Sequence, residues 1–370
     1  MKRLKISAPG KLMLAGEWAI LEMGNPGLIA AVNKRVWVEI EPTNKIIINI
    51  KDFDIENLGA IFDGKELKWE RGLTEKEKID TQFIKGAIET TLKYLGRWHN
   101  FKIISWGEQN QIEIDGKSKK IGFGSSAASV VATVAALLKM HGQDIASMQA
   151  KERIYKLATI AHYFVQGKLG SGFDVAAATF GGVFVYKRFD SAWLVQQIES
   201  GKSIKEIVEK KWPGLYIEQL DIPKRLKLIV GWTRSSASTT AMIRQMEGFK
   251  MSQFAEYKRI FSNIAKTVEI LIENWKKGNR EGILTCIKKN RALLQELTKK
   301  SDISIETEEL KRLADLAEQV GAAGKLSGAG GGDCGIAICF DAKTEKEIKK
   351  RWTEAGLWPL DVKIDKNGVK

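Results

Sequence analysis

The stretch Ile121-Gly122-Phe123-Gly124-Ser125-Ser126-Ala127-Ala128-Ser129 constrains this chain most, because a helix-forming run, Val130 to Met140, follows it directly. Two glycines free the backbone to curl and to approach a ligand closely. Ser125 and Ser126 stand where a helix N-cap belongs, and Ala127, Ala128, Val131, Ala132, Ala135 and Ala136 continue the helix. A glycine turn opening onto a helix presents unpaired N–H groups and the positive end of the helix dipole, which suits a phosphate. The two hydroxyls would cap the helix or ligate Mg²⁺. A structural cap ahead of a buried helix explains the same residues, so the stretch alone leaves both readings open.

At 370 residues the chain is long enough for two domains sharing an interface. Its 44% apolar and 28% charged residues are ordinary for a soluble protein. No apolar run approaches the roughly 20 residues of a membrane span, and Pro9, Gly10 and Lys11 interrupt any signal-peptide core behind Lys2, Arg3 and Lys5. Three cysteines and three scattered histidines provide neither a disulfide framework nor metal-ligand spacing. A cytoplasmic location is the natural expectation.

The net charge of +14 is compatible with a nucleic-acid surface, attraction for anionic small molecules, or solvated helix faces. Lys276, Lys277, Lys288, Lys289, Lys299 and Lys300 fall on helix-like segments with nearby glutamates. No DNA-binding motif or aromatic-interleaved basic stripe is present, so solvated faces are the reading taken. Neither nucleic acid nor membrane is expected as a partner.

Along the chain, Lys5 to Leu21 reads as a short strand, a Pro-Gly turn and a second apolar strand. Strands are expected at Leu28–Val32, Val36–Ile40 and Lys45–Ile50, and an amphipathic helix at Asp80–Leu95. Residues 51–80 look polar and irregular. Two Gly-Lys-Ser triplets, at Gly116 and Gly201, lack the earlier glycine of a P-loop, since Gln111 and Gln196 stand there. A mixed polar stretch at 187–225 suggests a domain boundary. Two long helices broken near Gly278 follow, and then a glycine-dense loop, Gly324 to Gly335, leads into an apolar strand.

Singly, each of these features has a bland explanation. In order they do not. Pro9-Gly10-Lys11 with Gly16-Glu17, Gly122-Phe123-Gly124-Ser125-Ser126-Ala127-Ala128, Gly170-Ser171-Gly172-Phe173-Asp174 and Ser327-Gly328-Ala329-Gly330-Gly331-Gly332-Asp333 together resemble the GHMP small-molecule kinases. Within that superfamily the likeness is nearest to the phosphomevalonate kinases, through Gly16-Glu17-Trp18-Ala19-Ile20-Leu21, Gln166-Gly167 ahead of Gly170, and Gly231-Trp232-Thr233 with Ala237-Ser238-Thr239. Mevalonate kinases and galactokinases usually carry histidine where Trp18 stands.

The resemblance implies an α+β fold of two domains, an N-terminal one with a left-handed β-α-β crossover and a C-terminal ferredoxin-like one. The expected division is 1–190 and 191–370. ATP and an anionic small-molecule substrate would meet in the cleft between them, with Mg²⁺. The implied reaction is ATP-dependent phosphorylation of 5-phosphomevalonate to 5-diphosphomevalonate, in the mevalonate route to isoprenoids.

Asp174 matches the family's catalytic aspartate, Lys11 the lysine that pairs with it, and Ser126 the serine that ligates Mg²⁺. Gly122, Phe123, Gly124, Ser125, Ser126 and Ala127 would wrap the ATP phosphates. Ser171, Gly172, Arg234, Ser236, Ser238, Thr239, Gly328, Ala329 and Gly330 would contact the substrate.

Two departures stand out. Tyr163 occupies the position of the glutamate that completes the Mg²⁺ shell in mevalonate kinases, eleven residues before Asp174, so that either Tyr163 or water would stand in for it. Arg234 stands where related phosphomevalonate kinases have a small residue, and it reads equally as a phosphate ligand or a surface charge.

Rival readings are a mevalonate kinase or another GHMP kinase, a kinase-fold regulator, and a basic nucleic-acid binder. A dinucleotide-binding oxidoreductase is a fourth, since Gly122-x-Gly124-x-x-Ala127 fits that fingerprint. Lys117 to Lys120 precede the glycines instead of a buried strand, and helix continues where an acidic strand end is needed.

Overall fold

The structure is a computed structural model that describes residues 3–108, 111–114, 117–235 and 239–370. Its first half comprises strands β1 (Leu4–Ala15), β2 (Gly27–Pro42), β3 (Ile46–Ile50), β4 (Ile55–Phe62) and β5 (Leu67–Trp69), then helix α1 (Glu75–Leu95) and strands β6 (Phe101–Gly107), β7 (Gln111–Ile114) and β8 (Lys117–Lys120). Helices α2 (Ser125–Met140), α3 (Met148–Val165) and α4 (Phe173–Phe180) follow, then β9 (Val183–Lys187), α5 (Ser191–Glu199), α6 (Ile204–Glu209) and β10 (Tyr216–Leu220).

These strands form one sheet in the order β10-β9-β2-β6-β3-β4-β5, with β1 also paired to β2; β7 and β8 pair separately. All pairs are antiparallel except β3 with β6. Helix α2 is apolar nearly all round, and from Ala127 to Met140 it is buried against β1, β2, α1 and α3 except at Ser129 and Lys139. Its alanines allow that close approach.

The second half comprises β11 (Lys227–Trp232), α7 (Thr239–Ser252), α8 (Phe254–Lys277), α9 (Arg280–Ser301), α10 (Glu308–Glu318), β12 (Ala323–Leu326), β13 (Cys334–Cys339), α11 (Ala342–Glu354) and β14 (Trp358–Leu360). Strand order β12-β13-β11-β14 with every pair antiparallel is the ferredoxin-like arrangement. Gly278, with φ of 65°, ends α8 and turns the chain into α9.

Several local expectations change. Residues 4–15 are one strand, because Pro9-Gly10 makes a register shift within the β1–β2 ladder instead of a turn. Segments 28–32 and 36–40 are likewise parts of the single strand β2. Helix α1 starts at Glu75, where Thr74 and Glu77 form a capping box. Residues 51–74 hold β4 and β5.

Residues 191–220 pack on the first core through Leu194, Ile207, Val208 and Trp212, and β10 pairs with β9. A division at 190/191 would cut that sheet; we infer one near 221–226. The C-terminal segment also returns to the first half. Arg35 binds Asp365 and the carbonyls of Asn367 and Gly368, Ser7 and Lys370 exchange backbone hydrogen bonds, and Val369 enters the first core. Among the described residues no helix is long and apolar enough to cross a membrane.

Candidate active site

Strand β1 brings the first side chain. A Cβ on Gly10 would lie 2.8 Å from the Phe123 carbonyl oxygen, so glycine lets the strand press against the 121–124 loop. The Lys11 amide donates to that carbonyl at 2.8 Å. Lys11 Nζ then donates to the Gly122 carbonyl at 2.7 Å.

The loop delivers α2. Gly124, with φ of 76°, is the N-cap; Ser125 and Ser126 are the first two helical residues, and no side chain caps the helix. The left-handed cap conformation favours glycine, which releases both hydroxyls from capping. Ser125 Oγ is buried without a partner, and Ser126 Oγ lies 3.2 Å from Nε2 of His162. Burial holds the His162 pKa below its ordinary value, while Asp174 opposes the shift. Because the first turn of a helix leaves its N–H groups without intrahelical partners, α2 presents donors where its serines stand.

Helix α4 brings Asp174 in the same way. Its N-cap is Gly172, with φ of 83°, so Asp174 is a first-turn residue and not the cap. Asp174 is half-buried, and its Oδ1 accepts from the Val175 amide at 2.9 Å. Beneath the turn, Tyr186 donates its hydroxyl proton to the Ser171 carbonyl at 2.5 Å, and Tyr155 Oη lies 2.8 Å from Tyr186 Oη. Ser171 Oγ is buried and unpartnered.

The second half closes the site. Ser327 Oγ accepts from the Met13 amide and donates to the Met13 carbonyl, at 2.9 and 3.0 Å. Trp18 Nε1 donates to the Ala329 carbonyl at 3.2 Å. Lys325 and Glu17 form a fully buried ion pair across the seam. Burial pushes the Glu17 carboxyl up and the Lys325 ammonium down, with their mutual attraction opposing both shifts. Arg234 lies 5.0 Å from the centre of the Trp358 ring.

These segments enclose a cleft of about 770 Å³, with Lys11, Ser125, Ser126, Ser171, Asp174 and Arg234 among its walls. Ser125 and Ser126 also line a smaller cavity of about 260 Å³ whose walls include Phe53, Ile79 and Phe83. Hydroxyls, free helix N–H groups, a lysine and a carboxylate facing one cleft can hold a polyphosphate and orient an acceptor beside it.

Residues 82–182 match the GHMP kinases N terminal domain, and residues 271–356 match the GHMP kinases C terminal domain. A phosphomevalonate kinase of a Streptomyces species is 31% identical over 98% of this chain and 97% of its own. The chain belongs to the GHMP kinases. A mevalonate kinase of Thermococcus gammatolerans is 28% identical, covering 100% of this chain and 98% of its own. The solved Streptococcus pneumoniae phosphomevalonate kinase in complex with phosphomevalonate and AMPPNP superposes with a TM-score of 0.81 at 28% identity, over 98% of this chain and 99% of that one.

In this GHMP kinase the cleft gathers Lys11, Gly122, Gly124, Ser125, Ser126, Ser171, Asp174, Arg234, Gly328, Ala329 and Gly330. Other expected residues sit differently. The Phe123 side chain is buried in the second core and Ala127 in the first, so each offers only backbone to the loop. Gly172 shapes the turn without lining the cleft. Ser236 and Ser238 lie outside the described residues, and so does the Thr239 side chain. No ion pair joins Lys11 to Asp174 among the described residues, because the Lys11 ammonium is held by the Gly122 carbonyl. Tyr163 is not among the residues lining the cleft: it packs edge-on against Phe164 and Phe189 and lines a separate surface cavity.

Four residues that no local pattern assigns to the site are brought to it, or just beneath it, by the fold: Glu17, His162, Lys325 and Asp333. Glu17 and Asp333 stood inside quoted motifs. His162 carried no local signal, since one histidine on an apolar helix face looks like core packing.

Proposed function

We propose that the chain transfers the terminal phosphoryl group of ATP to 5-phosphomevalonate, forming 5-diphosphomevalonate and ADP. The observation that carries this reading is the convergence of Lys11, the first-turn N–H donors and serines of α2, and Asp174 on one cleft. Full-length similarity to phosphomevalonate kinases supports the choice of acceptor. Phosphoryl transfer depends on positioning and charge stabilisation, and this donor set offers both.

The N–H groups opening α2 would hold the phosphates, with the nucleoside running into the smaller cavity beside Ser125 and Ser126. Lys11 would offset charge on the moving phosphoryl group. Asp174 would orient the attacking oxygen. A phosphate acceptor has a second pKa of roughly 6, so its oxygen is already largely ionised near neutrality and asks little proton abstraction of Asp174.

Among the described residues no group of three or more His, Cys, Asp or Glu could hold a metal ion. A single serine hydroxyl beside the unpartnered Ser125 Oγ fits a cation carried mainly by nucleotide phosphates and water. Mg²⁺ held there by Ser126 would neutralise phosphate charge.

Arg234, Ser171 and the 328–330 backbone would receive the distal phosphate of the acceptor. Mevalonate is the competing acceptor, since full-length mevalonate kinases are also similar. Coupled ADP release should give a kcat/KM for mevalonate at least about 10²-fold below that for 5-phosphomevalonate, the loss of roughly 3 kcal/mol from donors left unpaired. Equal or better use of mevalonate would overturn the acceptor and leave the kinase standing.

A further inference from the structure

Asp333 closes the glycine-dense loop of the second half, yet its carboxylate lies in the first half's phosphate loop. The Gly122 amide donates to Asp333 Oδ1 at 3.1 Å. The approach is so close that a Cβ at residue 122 would overlap the carboxylate. The same Gly122 residue accepts Lys11 Nζ on its carbonyl, at 2.7 Å. Gly122 is therefore held from two sides, by a carboxylate of the second half and an ammonium of the first.

Asp333 is itself fixed. Its amide donates to the Ser235 carbonyl at 2.8 Å, and its carbonyl accepts from the Thr233 amide and hydroxyl at 2.9 and 3.0 Å. The arrangement works against stability in two ways. Asp333 has a φ of 64°, the left-handed region that favours glycine. Burial also pushes its carboxyl pKa up, with the Gly122 hydrogen bond and Lys11 opposing that shift. A backbone and a charge kept at such a cost beside a reaction site point to a function there.

We propose that Asp333 is a positioning residue for Lys11: by holding the Gly122 amide it sets the Gly122 carbonyl that aims the Lys11 ammonium into the cleft. The inference rests on the reading of Lys11 as the cation that serves phosphoryl transfer. It also gives the seam between the two halves a task, because the Lys11 geometry is complete only when the 328–333 loop is seated against the phosphate loop.

The test uses the full chain and four variants. Asp333→Gly removes the carboxylate and suits the left-handed backbone, so its Tm should equal or exceed that of the parent. Its kcat with ATP and 5-phosphomevalonate should nevertheless fall about 10- to 100-fold, the scale of a small misplacement of a catalytic group, while KM for ATP changes less than about threefold. Asp333→Asn keeps an oxygen that can accept from Gly122 and should recover most of kcat. In a Lys11→Ala background, Asp333→Gly should cost less than about twofold more, because two residues acting as one unit do not add.

Parental kcat in Asp333→Gly overturns the inference, and so does a full further loss in the Lys11→Ala background. Asp333→Asn no better than Asp333→Gly overturns the hydrogen bond as the agent. Parental kcat in Lys11→Ala alone instead overturns the Lys11 assignment on which the inference stands.

Discussion

Two glycine-rich loops face each other across the cleft, and they use their backbone in opposite ways. Residues 122–124 end at the N-terminus of α2, where first-turn N–H groups have no intrahelical partner and Ser125 Oγ is buried and unpaired. Residues 327, 331 and 333 spend their amides within the protein. The Ser327 amide bonds the Cys334 carbonyl, the Gly331 amide the Ile305 carbonyl, and the Asp333 amide the Ser235 carbonyl. The first loop delivers the open donors of a helix N-terminus, whereas the second seats itself with these three amides and leaves the 328–330 backbone facing the cleft. The second also meets the first half through what it carries on its rim: the Asp333 carboxylate on Gly122, and the Ala329 carbonyl under Trp18. Glycine content says that a backbone can bend; where the freed N–H groups go decides whether it binds or braces.

If binding and chemistry belong to the first loop's side, the largest loss should come from Asp174, which stands at the opening of α4 beside it. Asp174→Asn keeps the shape and removes the charge and the basic oxygen. Turnover should fall about 10²- to 10³-fold, the scale for losing one preorganised charged contact that orients the attacking oxygen, while the affinity for AMPPNP and the Tm stay near those of the parent. Loss of AMPPNP binding to the same degree as turnover would assign Asp174 to nucleotide holding instead.

A paired experiment separates the two loops directly. At Gly330, with φ of 82°, a Cβ would overlap the Ile305 carbonyl. Gly330→Ala should therefore destabilise the fold by about 1–3 kcal/mol, seen as a lower Tm without nucleotide. Ser126→Ala should leave that Tm unchanged and raise the Mg²⁺ concentration for half-maximal rate several-fold, a partial effect because the nucleotide and water supply most of the ligands. A Tm that falls in Ser126→Ala and holds in Gly330→Ala would reverse the roles given to the loops.

Much of this division was legible in the residues. The order of motifs announced two halves and one cleft, and strong local patterns such as α2, α8 and α9 came out near their expected places. What local pattern hid was long-range. The serines of α2 looked like caps because Ser favours that position, but the left-handed backbone at Gly124 made the glycine the cap. Pro9-Gly10 looked like a turn because a pattern does not reveal that β2 continues alongside it. The stretch at 187–225 looked like a domain boundary because it is mixed and polar, but its Leu194, Ile207, Val208 and Trp212 pack into the first core beside Tyr155 and Phe189. The Gly331 amide donates to the Ile305 carbonyl, twenty-six positions earlier, a partner no local pattern shows. Asp333 and Gly122 are 211 residues apart, and no spacing rule joins them.

The smallest predicted effect concerns that last contact, and its sign follows from linkage. Burial holds the Asp333 carboxyl above the ordinary aspartate range in the folded protein. At pH values between the unfolded and folded pKa, the folded state binds more protons at this site than the unfolded state. The site's contribution to stability is fully present below the unfolded pKa and is lost as pH rises through the folded one. Asp333→Asn removes that dependence and leaves the Gly122 acceptor in place. The difference in Tm, variant minus parent, should therefore become more positive as pH rises from below the ordinary carboxylate range toward neutrality. It should then level off once the folded carboxyl has ionised. Thermal melts of both proteins across that range test it. A difference that is flat, or that becomes more negative with rising pH, would mean that the Gly122 amide and Lys11 outweigh burial at Asp333, making the seam a net electrostatic stabiliser instead of a site kept for the reaction at a cost to the fold.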